Sequence, residues 1–213
     1  MGHVIDVVNV SKRFGSETVV NDVSLSLDKG KIYGIIGRNG SGKTVLFKMI
    51  TGFLRPSSGK IFVDGLEIGK DTDFAKETGI IIEAPGFLGG FSGYKNLEYL
   101  ARINNKIGRS EIREYMDKVG LDPDNRKKVR KYSLGMKQRL GIAQAIMENP
   151  HILILDEPMN GLDRQGVEDM RTLFLNMKKQ GVTILLASHN REDIDILCDK
   201  VYEMDDGYLR CMT

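Results

Sequence analysis

Cysteine is nearly missing from this 213-residue sequence: Cys198 and Cys211 are the only two, and their spacing matches no metal-binding pattern. Such sparse thiols suit a reducing compartment, and buried or incidental side chains are their plainer reading. Long apolar runs are missing too. Nothing approaches the ~20 residues needed to cross a bilayer, so no spanning segment is expected. The opening Met1-Gly2-His3-Val4-Ile5-Asp6 meets charge too early for a signal peptide, and Asp6 stands where myristoylation requires Ser or Thr. The expected location is therefore cytoplasmic, with any membrane association made through a partner. A strong charge bias is also lacking: the net charge of +2 gives no reason to expect nucleic acid as a partner. Repeats and low-complexity segments do not occur. What remains, 41% hydrophobic and 28% charged residues, is ordinary for a globular protein. The length suits one large α/β domain, or one core with an inserted subdomain.

One stretch organises the rest. Gly37-Arg38-Asn39-Gly40-Ser41-Gly42-Lys43-Thr44 follows the apolar run Lys31–Ile36, which reads as a buried strand. Val45 then opens a segment with helical spacing that stops at Gly52. Strand, glycine loop, Lys-Thr and helix is the context in which G-x-x-x-x-G-K-[ST] predicts a phosphate-binding loop. Glycines let backbone N–H groups face an anion without side chains in the way, and the helix N-terminus adds partial positive charge. Lys43 is expected to reach the β- and γ-phosphates of a nucleoside triphosphate, and the Thr44 hydroxyl to ligate Mg²⁺. A glycine-rich turn capping an ordinary helix is the bland alternative, which the lysine, the threonine and both flanks disfavour.

Before this loop, residues 4–10 and 23–27 read as strands, with Ser11-Lys12-Arg13-Phe14-Gly15 as a polar turn between them. Phe14 is either a core ring or a flat surface for an adenine, and the general burial of aromatics favours the core. After the loop, residues 60–63 and 66–68 suggest a hairpin about Asp64-Gly65, and residues 79–83 a further strand broken at Ala84-Pro85-Gly86. From 86 to 149 strand-like runs vanish, and amphipathic helices are expected near 95–105, 110–119 and 135–148. This predicts a helical insertion, residues 86–149, in a core formed by residues 1–85 and 150–213. Hinges are expected near 84–90 and 149–151, and the Gly89–Gly93 loop is expected to move or to contact something. The core resumes with a strand at 151–156, a helix near 164–180, a strand at 182–187, a helix near 191–198 and a hairpin about Asp205-Asp206-Gly207.

Chemistry-bearing groups lie at the ends of these strands, where open α/β sheets place their ligands. Asp156 ends an apolar strand and suits the orientation of Mg²⁺ and its waters, while Glu157 is placed to polarise a water for attack. Adjacent acids could simply begin a loop, but beside a phosphate-binding loop the functional reading is favoured. His189 ends another strand and could donate to a γ-phosphate and hold the attacking water. Ser133, in Tyr132-Ser133-Leu134-Gly135-Met136, is a good helix N-cap, with the exposed N–H groups of a first turn behind it.

The order of these motifs resembles the nucleotide-binding subunit of an ABC transporter, over essentially the whole chain. The resemblance implies a P-loop NTPase (RecA-like) α/β core with an N-terminal antiparallel β region and an inserted helical subdomain. It also implies ATP and Mg²⁺ as cofactors, with Gly37 through Val45 cradling phosphate and Thr44 and Asp156 on the metal. It makes Glu157, His189 and Lys43 catalytic, and places Phe14 on the adenine. Ser133, Gly135 and Met136 become the signature loop that caps the nucleotide of an opposite subunit, and Asp163 an interface aspartate. Two departures stand out: the signature reads Tyr132-Ser133-Leu134-Gly135-Met136 where Leu-Ser-Gly-Gly-Gln is usual, and Glu83 replaces the usual Q-loop glutamine. Both are similar to the branch that includes bacitracin-resistance and lantibiotic-immunity exporters. That branch implies an ATPase that dimerises and drives a membrane permease at the inner face of the cell membrane, with export of a peptide antibiotic or another amphiphile. Glu83 is expected to engage the metal or its water shell. No regulatory domain is expected after the last hairpin. The competing readings are a non-transport ABC-type ATPase, favoured by tandem cassettes, coiled coils or a basic surface, none of which is visible; and a P-loop kinase, which has no use for Ser133-Leu134-Gly135, or GTPase, whose guanine-reading Asn-Lys-x-Asp segment is not found.

Overall fold

The computed structural model describes residues 3–83 and 86–212. Two sheets form its framework. The first is antiparallel, in the order β2-β1-β4-β5, from β1 (Ile5–Phe14), β2 (Glu17–Leu27), β4 (Ser58–Val63) and β5 (Leu66–Glu67). The second has the order β10-β9-β3-β8-β7-β6. In it β3 (Ile32–Ile36), β6 (Thr78–Ile81), β7 (Ile152–Asp156), β8 (Thr183–Ala187) and β9 (Lys200–Asp205) pair in parallel, and only β10 (Tyr208–Cys211) runs against its neighbour. The central strands β3, β7 and β8 are buried on both faces, which explains their nearly continuous Ile and Leu runs.

Helix α1 (Lys43–Thr51) leaves the carboxyl end of β3 and buries Leu46, Phe47, Met49 and Ile50 in the same apolar cluster as the antiparallel sheet and one face of the parallel one. Each such side chain contributes about 1.5–3 kcal/mol on burial. Gly52 ends the helix in the left-handed conformation, as its position in the sequence suggests. The other face of the parallel sheet shares a second cluster with α5 (Arg164–Lys179), α6 (Arg191–Leu197) and three helices from the middle of the chain. Those are α2 (Gly93–Asn104), α3 (Arg109–Lys118) and α4 (Leu134–Ile146), which lie in sequence between β6 and β7. Both expected hairpins form: Asp64-Gly65 and Asp206-Gly207 have φ 50° and 77°, and 47° and 80°, the positive pairs that two-residue turns require.

Two boundaries differ from the sequence reading. Of the segment read as a polar turn at 11–15, only Gly15 lies in the turn: β1 continues to Phe14, and Lys12, Arg13 and Phe14 pair with Val20, Thr18 and Glu17. Register shifts along β1 break the alternation by which a strand is recognised, so the polar residues looked like a turn. Strand β6 ends at Ile81, and Glu83 lies beyond it with φ 61°. Its expected hinge includes Ala84 and Pro85, which lie outside the described residues. The glycine loop at 89–93 does contact something: Arg130 donates to the Gly89 carbonyl at 3.1 Å and Val129 to that of Phe91 at 2.9 Å.

Candidate nucleotide-binding and hydrolytic site

At the carboxyl ends of β3, β7 and β8 the chain forms a cleft of about 530 Å³, lined by residues 39–45 together with Glu83, Asp156 and Glu157. The phosphate-binding loop is shaped by close approach. Gly42 caps α1 at φ 106°, and a Cβ there would lie 2.7 Å from the Val19 carbonyl oxygen, so no other residue fits without displacing backbone. Lys43 is 7% exposed, and its Nζ donates to the carbonyls of Gly37 at 2.7 Å and Arg38 at 2.9 Å. Burial pulls the Lys43 ammonium below its ordinary pKa, while the charges of Asp156 and Glu157 draw it back up. A polyanion in the cleft would relieve that desolvation.

Ser41 supplies a direct test of whether the loop suits phosphate. Its Oγ is buried and has no hydrogen-bond partner, a costly condition that an anion's oxygen would remove. The donor set fits the nucleotide. For Mg²⁺, the Thr44 hydroxyl donates to Asp156 Oδ2 at 2.6 Å, holding two oxygens side by side. Among the described residues no cluster of three or more His, Cys, Asp or Glu could hold a metal alone. That is the ordinary situation for Mg²⁺, which completes its octahedron with phosphate oxygens and water.

Beside these, the Glu157 carboxylate meets His189: Oε2 lies 2.8 Å from Nδ1 and takes the His189 backbone N–H at 3.4 Å. Glu157 sits at φ 51°, a left-handed conformation costly for a residue with a Cβ. The segment around His189 is anchored from behind. Asp193, 1% exposed, accepts Nε and Nη2 of buried Arg171 at 2.8 and 2.5 Å, and its other oxygen lies 3.5 Å from Ser188 Oγ. Ser188 Oγ in turn accepts the Asn190 N–H at 3.1 Å. Removing one partner of such a buried pair costs about 3–5 kcal/mol.

Not every expected group joins this cleft. Glu83 lines it, but its carboxylate is 2.7 Å from Lys48 Nζ on α1. Phe14 is 48% exposed and lies under Lys12 Nζ at 5.1 Å, at the end of the same hairpin that sends Val19 to the cleft. It is therefore no core residue, contrary to what aromatic burial alone favours. Ser133, Gly135, Met136 and Asp163 line a separate cleft of about 520 Å³. There Ser133 caps α4 by accepting the Met136 N–H at 3.2 Å, and Asp163 caps α5 by accepting that of Gly166 at 2.9 Å.

Three residues of the nucleotide cleft were not singled out by sequence: Val19, Gln138 and Asn160. Gln138 had one available signal, its position three residues after Gly135, on the same face of a helix already marked by Ser133. Val19 and Asn160 had none.

Comparison with known proteins shows the family and the fold. Residues 20–160 match the family model described as ABC transporter. The chain is 43% identical over 206 residues to the ABC transporter ATP-binding protein YybJ of Bacillus subtilis (strain 168), covering 97% of this chain and 94% of the relative. It is 42% identical over 212 residues to the bacitracin transport ATP-binding protein BcrA of Enterococcus faecalis, covering 98% and 68%. In fold it is similar to a solved dimeric bacterial ABC transporter cassette, MJ0796, with a TM-score of 0.88 at 22% identity, covering 98% of this chain and 99% of that one. A match over more than half the chain and two relatives more than 40% identical lead to one conclusion: this chain belongs to the ABC transporter family, as an ATP-binding subunit.

Proposed function

We propose that the chain hydrolyses ATP with Mg²⁺, closes head-to-tail with a second cassette around two nucleotides, and drives a separate membrane permease from the inner face of the membrane. One observation carries the hydrolytic part: Thr44–Asp156 and Glu157–His189 are already paired beside a buried phosphate loop whose Ser41 hydroxyl has no partner. In this reading Lys43 leaves the Gly37 and Arg38 carbonyls for phosphate oxygens, and the loop N–H groups with Ser41 complete the cradle. Bound Mg²⁺ would neutralise phosphate charge and order water, held through Thr44 and Asp156. Glu157 accepts a proton from the attacking water as general base. His189, fixed by Glu157 on one side and by Ser188 and Asp193 behind, donates toward the terminal phosphate. Phe14, already exposed, offers its ring to the adenine.

Ser133, Gly135, Met136 and Asp163 serve the nucleotide of the opposite cassette, which accounts for their lying in a cleft of their own. Residues 86–149 act as a helical subdomain on the core of residues 1–85 and 150–213. Between them, edge strand β6 borders a groove of about 790 Å³ with the exposed rings of Phe53 and Phe74 at one end. This groove receives the permease's cytoplasmic segment. With ATP and Mg²⁺ bound, Glu83 would leave Lys48 for the metal's water shell and would pass the change to the helical subdomain. The resemblance to BcrA supports a peptide antibiotic or a similar amphiphile as cargo, exported from the cell. No helix among the described residues is long and apolar enough to cross a membrane.

The test is Glu157→Gln, which keeps the hydrogen-bonding shape but loses the base. ATP turnover should fall by about 10²–10⁴-fold with ATP affinity kept. With Mg²⁺-ATP the variant should elute as a dimer in size-exclusion chromatography, and a monomer at saturating ATP overturns the head-to-tail arrangement.

A further inference from the structure

Helix α4 serves two clefts. Its first turn carries the signature residues, and one turn later Gln138 lines the nucleotide cleft. Gln138 Nε2 donates to the carbonyl oxygen of Pro158 at 2.9 Å and to that of Glu157 at 3.3 Å. Both partners only accept, so it is the NH₂ end of the amide that faces them. The Glu157 carbonyl also takes the Asn160 N–H at 3.2 Å, and the Glu157 N–H goes to the Ala187 carbonyl at 3.0 Å. Strand β8, the turn itself and α4 thus each hold one residue in a left-handed conformation that is unfavourable on its own.

The rest of the helix start is pressed against the same turn. A Cβ on Gly135 would lie 2.8 Å from the Gly161 carbonyl oxygen, and Arg139 Nη2 is 3.9 Å from Asp163 Oδ1. The first two turns of α4 therefore run along residues 157–163 with no slack between them, and a displacement of one must be taken up by the other.

We infer that Gln138 is a positioning residue that makes the backbone of Glu157, and with it the carboxylate on His189, follow helix α4. The inference rests on the proposed dimer, in which the N-terminal turn of α4 faces the nucleotide of the second cassette. Occupation of that nucleotide pulls on α4, and Gln138 passes the displacement to this chain's own Glu157. Each site is thereby brought to its hydrolytic geometry by the filling of the other.

Gln138→Glu keeps the size and removes both donors; Gln138→Leu removes them without adding charge. In each, kcat should fall about tenfold, the scale of one or two lost hydrogen bonds. KM and the ATP dissociation constant from calorimetry should stay within about twofold, and the Hill coefficient for ATP should drop toward 1. In the ligand-free variants, hydrogen exchange at the Asn160 amide should speed up, since its acceptor is the Glu157 carbonyl. A rise in KM and dissociation constant with kcat intact would mean that Gln138 touches nucleotide directly, and the inference is then wrong. It is also wrong if kcat falls only as far as thermal melting shows the folded fraction to fall, or if Asn160 exchange is unchanged. A parent that hydrolyses without cooperativity, or variants that keep the parent's Hill coefficient, remove the coupling between sites. The exchange measurement needs neither ATP nor a dimer, so failure of the parent to hydrolyse or dimerise counts against the proposed function alone.

Discussion

The two clefts of this protein are built on opposite plans. In the nucleotide cleft the reactive groups already satisfy one another: Lys43 on loop carbonyls, Thr44 on Asp156, Glu157 on His189. In the signature cleft the Ser133 and Asp163 side chains serve their own helices. Ser133 caps α4, Asp163 caps α5, and Leu134 between them is 68% exposed. The first cleft draws on five separate parts of the chain and carries buried polarity and backbone strain, which persist only where surrounding structure enforces them. The second joins two helix starts to the loop after α3, and its two capping side chains, Ser133 and Asp163, are exposed. A site with strain and burial contains its own chemistry, whereas a shallow platform of helix ends is finished only by something laid on it.

Substitutions should separate the two. Lys43→Ala strikes the self-contained cleft and should have the largest effect, weakening ATP on the order of a hundredfold, as loss of a charged, largely buried partner does. Calorimetry with Mg²⁺-ATP reads this, and unchanged affinity would mean the loop does not bind phosphate. Ser133→Arg strikes the platform. The dimer of a Glu157→Gln background should weaken by more than about tenfold while the monomer's own ATP affinity changes by less than about twofold. If the monomer's affinity falls in step, ATP binding itself depends on the platform and the comparison fails.

Glu83 lies on the border, and its effect should be the smallest. Its carboxylate is 63% exposed and paired with Lys48, and such surface pairs contribute about 0–1 kcal/mol. Glu83→Gln and Glu83→Ala should therefore leave ATP binding nearly unchanged and shift the Mg²⁺ dependence of hydrolysis by about threefold, which 0.6–0.7 kcal/mol produces. If both variants match the parent in Mg²⁺ requirement, rate and permease stimulation, Glu83 does no more than pair with Lys48.

Local chemistry made much of this legible in advance. The phosphate loop, both hairpins, the Gly52 stop and the Ser133 cap are short-range signals in which the responsible residues are neighbours in the chain. The run of β1 through Phe14 was not legible, because its register shifts erase the two-residue alternation and its partners come from β2 and β4. Gln138 was half legible: its helix was marked, but that its amide reaches two carbonyls 19 and 20 residues further on depends on how α4 lies across the turn after β7. The bonds from Arg171 through Asp193 to Ser188 were invisible, since an arginine and an aspartate on two amphipathic helices read as ordinary solvated charge.

By itself the amino-acid order determined which chemistry is present: glycines where backbone must approach an anion, a lysine and a threonine at the helix start, carboxylates and a histidine at strand ends. Those are properties of a few adjacent residues and of strand and helix periodicity, and they survive without knowledge of the rest of the fold. Tertiary structure alone decided which groups meet. Placing β3 between β8 and β9, with β7 beyond β8, set Thr44 on Asp156 and Glu157 on His189 across more than 110 and 30 residues of chain. It also left Ser41 without a partner and Glu83 on Lys48, because burial and pairing at distance depend on the packing of whole elements, which no local pattern encodes.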